Sequence, residues 1–252
     1  MADSAWVPAR VSAMADDSPA PRHRAFVRVT HWLTAACFFA LLVSGFEIVI
    51  SHPRFYWGET GNDLTPPLFQ IPIPASRALV PTGYGYVLPD QNGWSRALHF
   101  QTAWALMFTG LFYLIAGLLT NHFAKNLLPA KADLTLLALA EAISGHLRIA
   151  RSSVAERSYN VVQRLTYLVV IFVLFPLIIW SGLAMSPAFA SAFHSAVTLL
   201  GGRQAARTIH FFLSLALLLF VVVHLAMISI AGFRSRMRAM ITGRTSADSE
   251  HT

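Results

Sequence analysis

Arg207-Thr-Ile-His210-Phe-Phe-Leu-Ser-Leu-Ala-Leu-Leu-Leu-Phe-Val-Val-Val-His224-Leu-Ala-Met-Ile-Ser-Ile-Ala-Gly232 decides the fold. As a helix rising ~1.5 Å per residue, this almost wholly apolar run reaches roughly 39 Å, enough for a hydrocarbon core about 30 Å thick. His210 and His224 lie fourteen residues apart within it. At ~100° per residue that spacing places both on nearly one helix face, about 21 Å apart along the axis. Each histidine can therefore serve a separate site, one toward each leaflet.

The rest of the 252-residue chain has the same character, with 55% hydrophobic and 12% charged residues. Soluble domains average about 25% charged residues, and here the apolar residues come in long blocks. The expected class is an all-α integral membrane protein. The formal charge of +7 does not point to nucleic acid, because Lys and Arg gather at the ends of apolar runs, where they set topology. Cys37 is the single cysteine, so there is no disulfide framework, no Cys-x-x-Cys pair and no covalent haem motif.

Residues 1–23 read as a polar cytoplasmic tail without the apolar stretch of a secretory signal, and 245–252 as a second one. Between them, 24–244 form one domain. Its spans are expected over 29–50, 94–120, 161–185 and 205–232, each about the length needed to cross. Pro176 in the third is tolerated because neighbouring helices can satisfy the freed carbonyl. An outer loop, 52–93, is rich in Pro and Gly and carries Phe55, Tyr56, Trp57, Tyr84 and Tyr86. In the inner loop, 122–158, Asp133, Glu141, His146 and Arg148 interrupt the leucines of 132–149. A span with four such groups is costly, so an amphipathic helix on the membrane or bundle surface is expected. The link 187–202 reads as a short, weakly polar loop. No internal repeat is evident. With both termini in the cytoplasm, only Arg54, Arg77, Arg96, Arg203 and Arg207 of the 19 Lys and Arg residues fall outside, the bias expected of an inner-membrane protein.

Four histidines lie within spans, and depth sorts them. His99 and His210 each sit about five residues, roughly 8 Å, below the outer surface. His31 and His224 share the inner half. Two bis-histidine sites follow, His99 with His210 and His31 with His224, joined by the fourth helix. Such a site suits a b-type haem, whose two axial positions take neutral imidazoles and leave no place for substrate, which favours electron transfer. Zinc or copper would normally add Cys, Asp or Glu ligands, and the spans hold little beyond Glu47. The plainer reading of one intramembrane histidine is a helix-to-helix hydrogen bond. Matching in depth of all four weighs against it.

Arg28-Val-Thr-His31-Trp32, Arg96-Ala-Leu-His99-Phe100 and the His210/His224 pair resemble the bacterial cytochrome b561 superfamily, which includes cytochrome b subunits of nickel-iron hydrogenases and formate dehydrogenases. Tyr56-Trp57-Gly58, Gly201-Gly202-Arg203-Gln204-Ala205-Ala206-Arg207 and Met240-Ile-Thr-Gly243-Arg244 are most similar to the thiosulfate-reductase-type branch. The resemblance implies a four-helix bundle with two stacked haems b ligated by these histidine pairs. It also implies a periplasmic partner, commonly a molybdopterin oxidoreductase, and exchange with a quinone, ubiquinone or menaquinone.

Tyr159-Asn160-Val-Val-Gln163-Arg164 resembles a segment bordering the quinone pocket in formate dehydrogenase cytochrome subunits, with Arg164 in place of lysine. A cytoplasmic-side quinone site is expected there. The plainer reading makes Asn160 a helix cap and Arg164 a surface anchor. Arg28, Arg96, Arg203 and Arg207 are placed to pair with haem propionates, or act as interfacial arginines. Two rival functions stand beside the electron-transfer subunit. One is a stand-alone superoxide-oxidising quinone reductase, with Arg96, Arg203 and Arg207 guiding the anion. The other is a haem-free transporter or sensory domain.

Overall fold

A computed structural model describes residues 23–62, 64–72, 91–128, 162–230 and 232–243. The amphipathic stretch expected over 132–149, Tyr84, Tyr86, Tyr159, Asn160 and both tails lie outside the described residues. Helix α1 (Ala25–Ser51) leads to a two-residue ladder, β1 (Arg54–Phe55) antiparallel to β2 (Phe69–Gln70), and then to α2 (Gln91–Leu119). The third long helix, α3, covers Val162–Ala184. Two short helices, α4 (Pro187–Ala192) and α5 (His194–Thr198), precede α6 (Arg203–Ile230) and α7 (Phe233–Thr242). Among the described residues four helices, α1, α2, α3 and α6, are long and apolar enough to cross a membrane.

The long helices overrun the hydropathic blocks by a turn at several ends, where Arg96 and Arg203 ride in exposed helical turns and Arg28 turns to the last turn of α7. Along the spans the hydroxyls of Thr30, Ser44, Thr109, Ser214 and Ser229 donate to carbonyls three or four residues back. Each polar group is thereby satisfied within its own helix, as a lipid environment demands. At Pro176 the missing N–H is accommodated locally. The helix takes a π-helical turn over Val170–Leu174 and resumes as an α-helix at Phe175.

The link 187–202 is not a plain loop. Ser186 is extended, Pro187 sits in the first turn of α4 with its φ already helical, and α5 follows directly. These pieces cap one end of the bundle through a cluster of Ala184, Val197, Leu200 and Ala206, flanked by Trp180 and Phe189. We call this the loop end, since 52–72 also lies there.

The described part of the loop after α1 is clamped onto the start of α6. Gly58 offers its carbonyl to the backbone N–H groups of Gln204 and Ala205 (3.0 and 3.1 Å), and the Glu59 carboxylate accepts from the Arg203 N–H at 3.1 Å. Those are the orphan donors of a helix start, and the acidic side chain also meets the positive end of the helix dipole. Phe55 is buried, stacks on Phe69 (4.6 Å between centres, 7° apart) and touches Phe211. Phe55 and Tyr56 thus pack inward, while Trp57 stays exposed.

At the opposite, terminal end, Gly232 takes a φ of +98° and separates α6 from α7. The last turn of α7 returns to α1. Arg28 Nη1 donates to the Ile241 carbonyl at 2.8 Å and Trp32 Nε1 to that of Met240 at 3.2 Å.

Candidate haem sites

Close backbone packing among the long helices is concentrated in two pairs, α1 with α2 and α3 with α6. Helices in direct contact run 8–10 Å apart. Among the described residues α6 makes no comparably extensive packing with α1 or α2, yet its histidines meet theirs across the seam. Side chains bridge where backbones stand off.

At the loop end, the His99 ring on α2 and the His210 ring on α6 have centres 6.2 Å apart with planes 62° apart. At the terminal end, His31 on α1 and His224 on α6 are 6.3 Å apart with planes at 50°. A metal bound by an imidazole nitrogen on each side at about 2 Å, with each ring centre roughly 1.1 Å beyond its nitrogen, needs centres about 6 Å apart. Direct stacking or a hydrogen bond would not require that separation twice.

The loop-end rings are held from behind by a repeated device. Ser44 Oγ on α1 lies 3.0 Å from His99 Nδ1, and Ser181 Oγ on α3 lies 3.0 Å from His210 Nδ1. Each serine is followed by a glycine. A Cβ at Gly45 would touch His99 Cε1 at 3.4 Å, and one at Gly182 would touch His210 Cε1 at the same distance. With Nδ1 engaged behind, Nε2 is the nitrogen left to face the partner ring. The dipeptides Ser44-Gly45 and Ser181-Gly182 are a local likeness between spans one and three that the sequence carries openly. Their role escapes notice because an intramembrane serine ordinarily serves its own helix.

At the terminal end His31 Nδ1 is buried and has no hydrogen-bond partner among the described residues. His224 lies against Phe220 (5.5 Å, 26°) and Tyr167 (6.2 Å, 69°). Tyr167, not singled out from the sequence, accepts a 2.7 Å hydrogen bond from Gln163 Nε2. Gln163 is thereby linked through one side chain to His224, while Arg164 follows it on the first turn of α3.

The four arginines separate. Arg207 donates to the His52 carbonyl and lies over the Phe55 ring, 5.0 Å from its centre. Arg203 reaches the Met185 carbonyl at 3.4 Å, and Arg96 is exposed at the loop end. Arg28 holds α7 through one nitrogen, while its Nε is buried without a partner among the described residues. His122, just past α2, is buried against Phe26 and Tyr113. It accepts from Asn126 Nδ2 at 2.9 Å.

The residues present fit haem at both ends. Paired imidazoles stand at the separation one metal atom needs, and glycines border the loop-end rings. A family model described as prokaryotic cytochrome b561 matches residues 22–243. The chain is also 30% identical over 213 residues, 82% of its length and 90% of the relative's, to a putative protein-methionine-sulfoxide reductase subunit, YedZ1, of Azospira oryzae. The chain belongs to the prokaryotic cytochrome b561 family, and is a multi-pass membrane haem b protein of the electron-transfer subunit kind.

Proposed function

We propose that this protein carries electrons between the quinone pool and a periplasmic oxidoreductase through two haems b, one held by His99 and His210 and one by His31 and His224. The observation that carries the reading is that α6 supplies one histidine to each of two pairs, 6.2 and 6.3 Å between ring centres. Haem held by these two histidine pairs would supply one-electron chemistry. The chain's own task is to orient the imidazoles and exclude water. In this reading the loop end is periplasmic and the terminal end cytoplasmic, in the bacterial inner membrane, as the distribution of Lys and Arg favours.

Arg28 is the propionate partner best supported at the terminal end, because its buried Nε lacks an acceptor among the described residues. At the loop end Arg96 and Arg203 take that role, with Arg207 also engaged in holding the loop. The quinone site lies where α3 begins, bordered by Gln163 and Arg164 and, by sequence, Tyr159 and Asn160. Its support is the path from Gln163 through Tyr167 to His224. The partner belongs to the molybdopterin oxidoreductase class, as the resemblance implies. The relative is named a putative protein-methionine-sulfoxide reductase subunit, which favours a sulfoxide carried on protein methionine as that partner's substrate.

Purified protein should contain two haems b per chain, reducible by a quinol. Asn160→Ala combined with Gln163→Ala should slow that reduction and leave both haems in place. Unchanged quinol-linked reduction in the double variant would remove the quinone site. Rapid mixing with superoxide tests the stand-alone oxidase reading. It draws little support from Arg207 and Arg203, whose guanidinium groups reach backbone carbonyls of the fold.

A further inference from the structure

Ser44 and Ser181 occupy equivalent places behind the two loop-end imidazoles, and the hydroxyl hydrogen of each is already committed. Ser44 donates to the Ala40 carbonyl at 2.7 Å and Ser181 to the Ile178 carbonyl at 3.0 Å. A hydroxyl whose hydrogen is spent on its own helix turns a lone pair to any other neighbour. The neighbour here is Nδ1 of His99 or His210, 3.0 Å away in both cases. His210 Nδ1 also lies 3.0 Å from the Ile178 carbonyl, which can only accept. The carbonyl contact demands that His210 Nδ1 carry the hydrogen, and a Ser44 hydroxyl donating to the Ala40 carbonyl favours the same for His99. The lone pair then resides on Nε2, the nitrogen turned toward the opposite ring.

We infer that Ser44 and Ser181 are positioning residues that fix the Nδ1–H tautomer of His99 and His210 and lower the reduction potential of the haem this pair holds, relative to the same haem without them. The inference rests on reading His99 and His210 as a haem pair. A hydrogen bond from Nδ1–H to an oxygen raises the electron density of the ring and its strength as a ligand. The oxidised, more positive iron gains more from that density than the reduced iron, so the potential falls. Among the described residues no serine reaches His31 or His224, and His31 Nδ1 has no acceptor at all. The device belongs to one end of the electron path. Gly45 and Gly182 complete it, since each stands against the Cε1 of the ring its serine neighbour holds.

Redox titration of the full-length protein, followed by its haem absorption, tests this. Each midpoint is assigned to its pair by which one disappears in His210→Ala and which in His224→Ala. Ser44→Ala and Ser181→Ala should each shift the loop-end midpoint upward, with the larger shift in the double variant. The terminal-end midpoint should stay put, and Ser→Thr at either position, which keeps the hydroxyl, should hold the native value. Two haems retained with an unmoved loop-end midpoint would overturn the inference, as would an equal shift of both midpoints. Should the alanine variants lose the loop-end haem, Ser→Cys and Ser→Thr are compared instead. A higher midpoint with the weaker acceptor, cysteine, supports the inference, and equal midpoints overturn it. Failure of the underlying reading looks different: His210→Ala would then lose no haem.

Discussion

Thr208 donates from its hydroxyl to the Tyr56 carbonyl at 2.7 Å, joining the loop after α1 to α6 two residues before His210. Thr208 is almost fully buried, so removing its hydroxyl leaves a carbonyl without a partner in a dry place. Thr208→Val should cost about 1–3 kcal/mol and loosen the loop-end haem first. Heating the variant while recording the two haem bands should show the loop-end band lost at a lower temperature than in the wild type, with the terminal-end band less affected.

Gly202 shows how closely that loop is held. Its φ is +104°, and a Cβ there would stand 2.7 Å from the Gly58 carbonyl and from the Glu59 carboxylate. A left-handed backbone and two close contacts make Gly202→Ala destabilising by about 1–3 kcal/mol. Gly110→Ala is the control. It lies inside α2 with nothing near its Cβ position, and alanine is the better helix former by about 1 kcal/mol. Thermal unfolding of the two variants should move in opposite directions.

His122 gives the terminal end a dependence on pH. Burial, and then the positive charge of Arg24, hold its pKa below the ordinary 6.5. The folded protein therefore favours the neutral ring. Above the ordinary value neither state binds the proton and nothing is lost. As pH falls below it the unfolded chain protonates first, and stability drops. His122→Gln should flatten the fall in melting temperature between about pH 7 and pH 5. An unchanged slope would show that other groups carry it.

The four spans were legible because uncharged runs of this length have few alternatives, and the histidine pairs because residues at equal depth on a bundle are natural neighbours. The pairing of quoted motifs was present but unreadable. Trp32, in the first motif, donates to Met240, in the last, and Gly58 caps the helix that begins in the glycine-rich motif. Such contacts join residues 208 and about 146 positions apart, and no local period announces them. The short helices α4 and α5 were missed because hydropathy sees a weakly polar link, while Pro187 and the apolar faces of Phe189 and Val197 give it helical order. The serines at 44 and 181 were hidden by their ordinary role within a helix.

In the proposed arrangement α6 holds one haem at each end. Haem content and reduced spectra of His210→Ala and His224→Ala, measured on folded, monodisperse protein, test it most directly. One haem per chain is expected in each variant, with His210→Ala keeping the terminal-end haem and His224→Ala the loop-end haem. Two haems retained in either variant would contradict it.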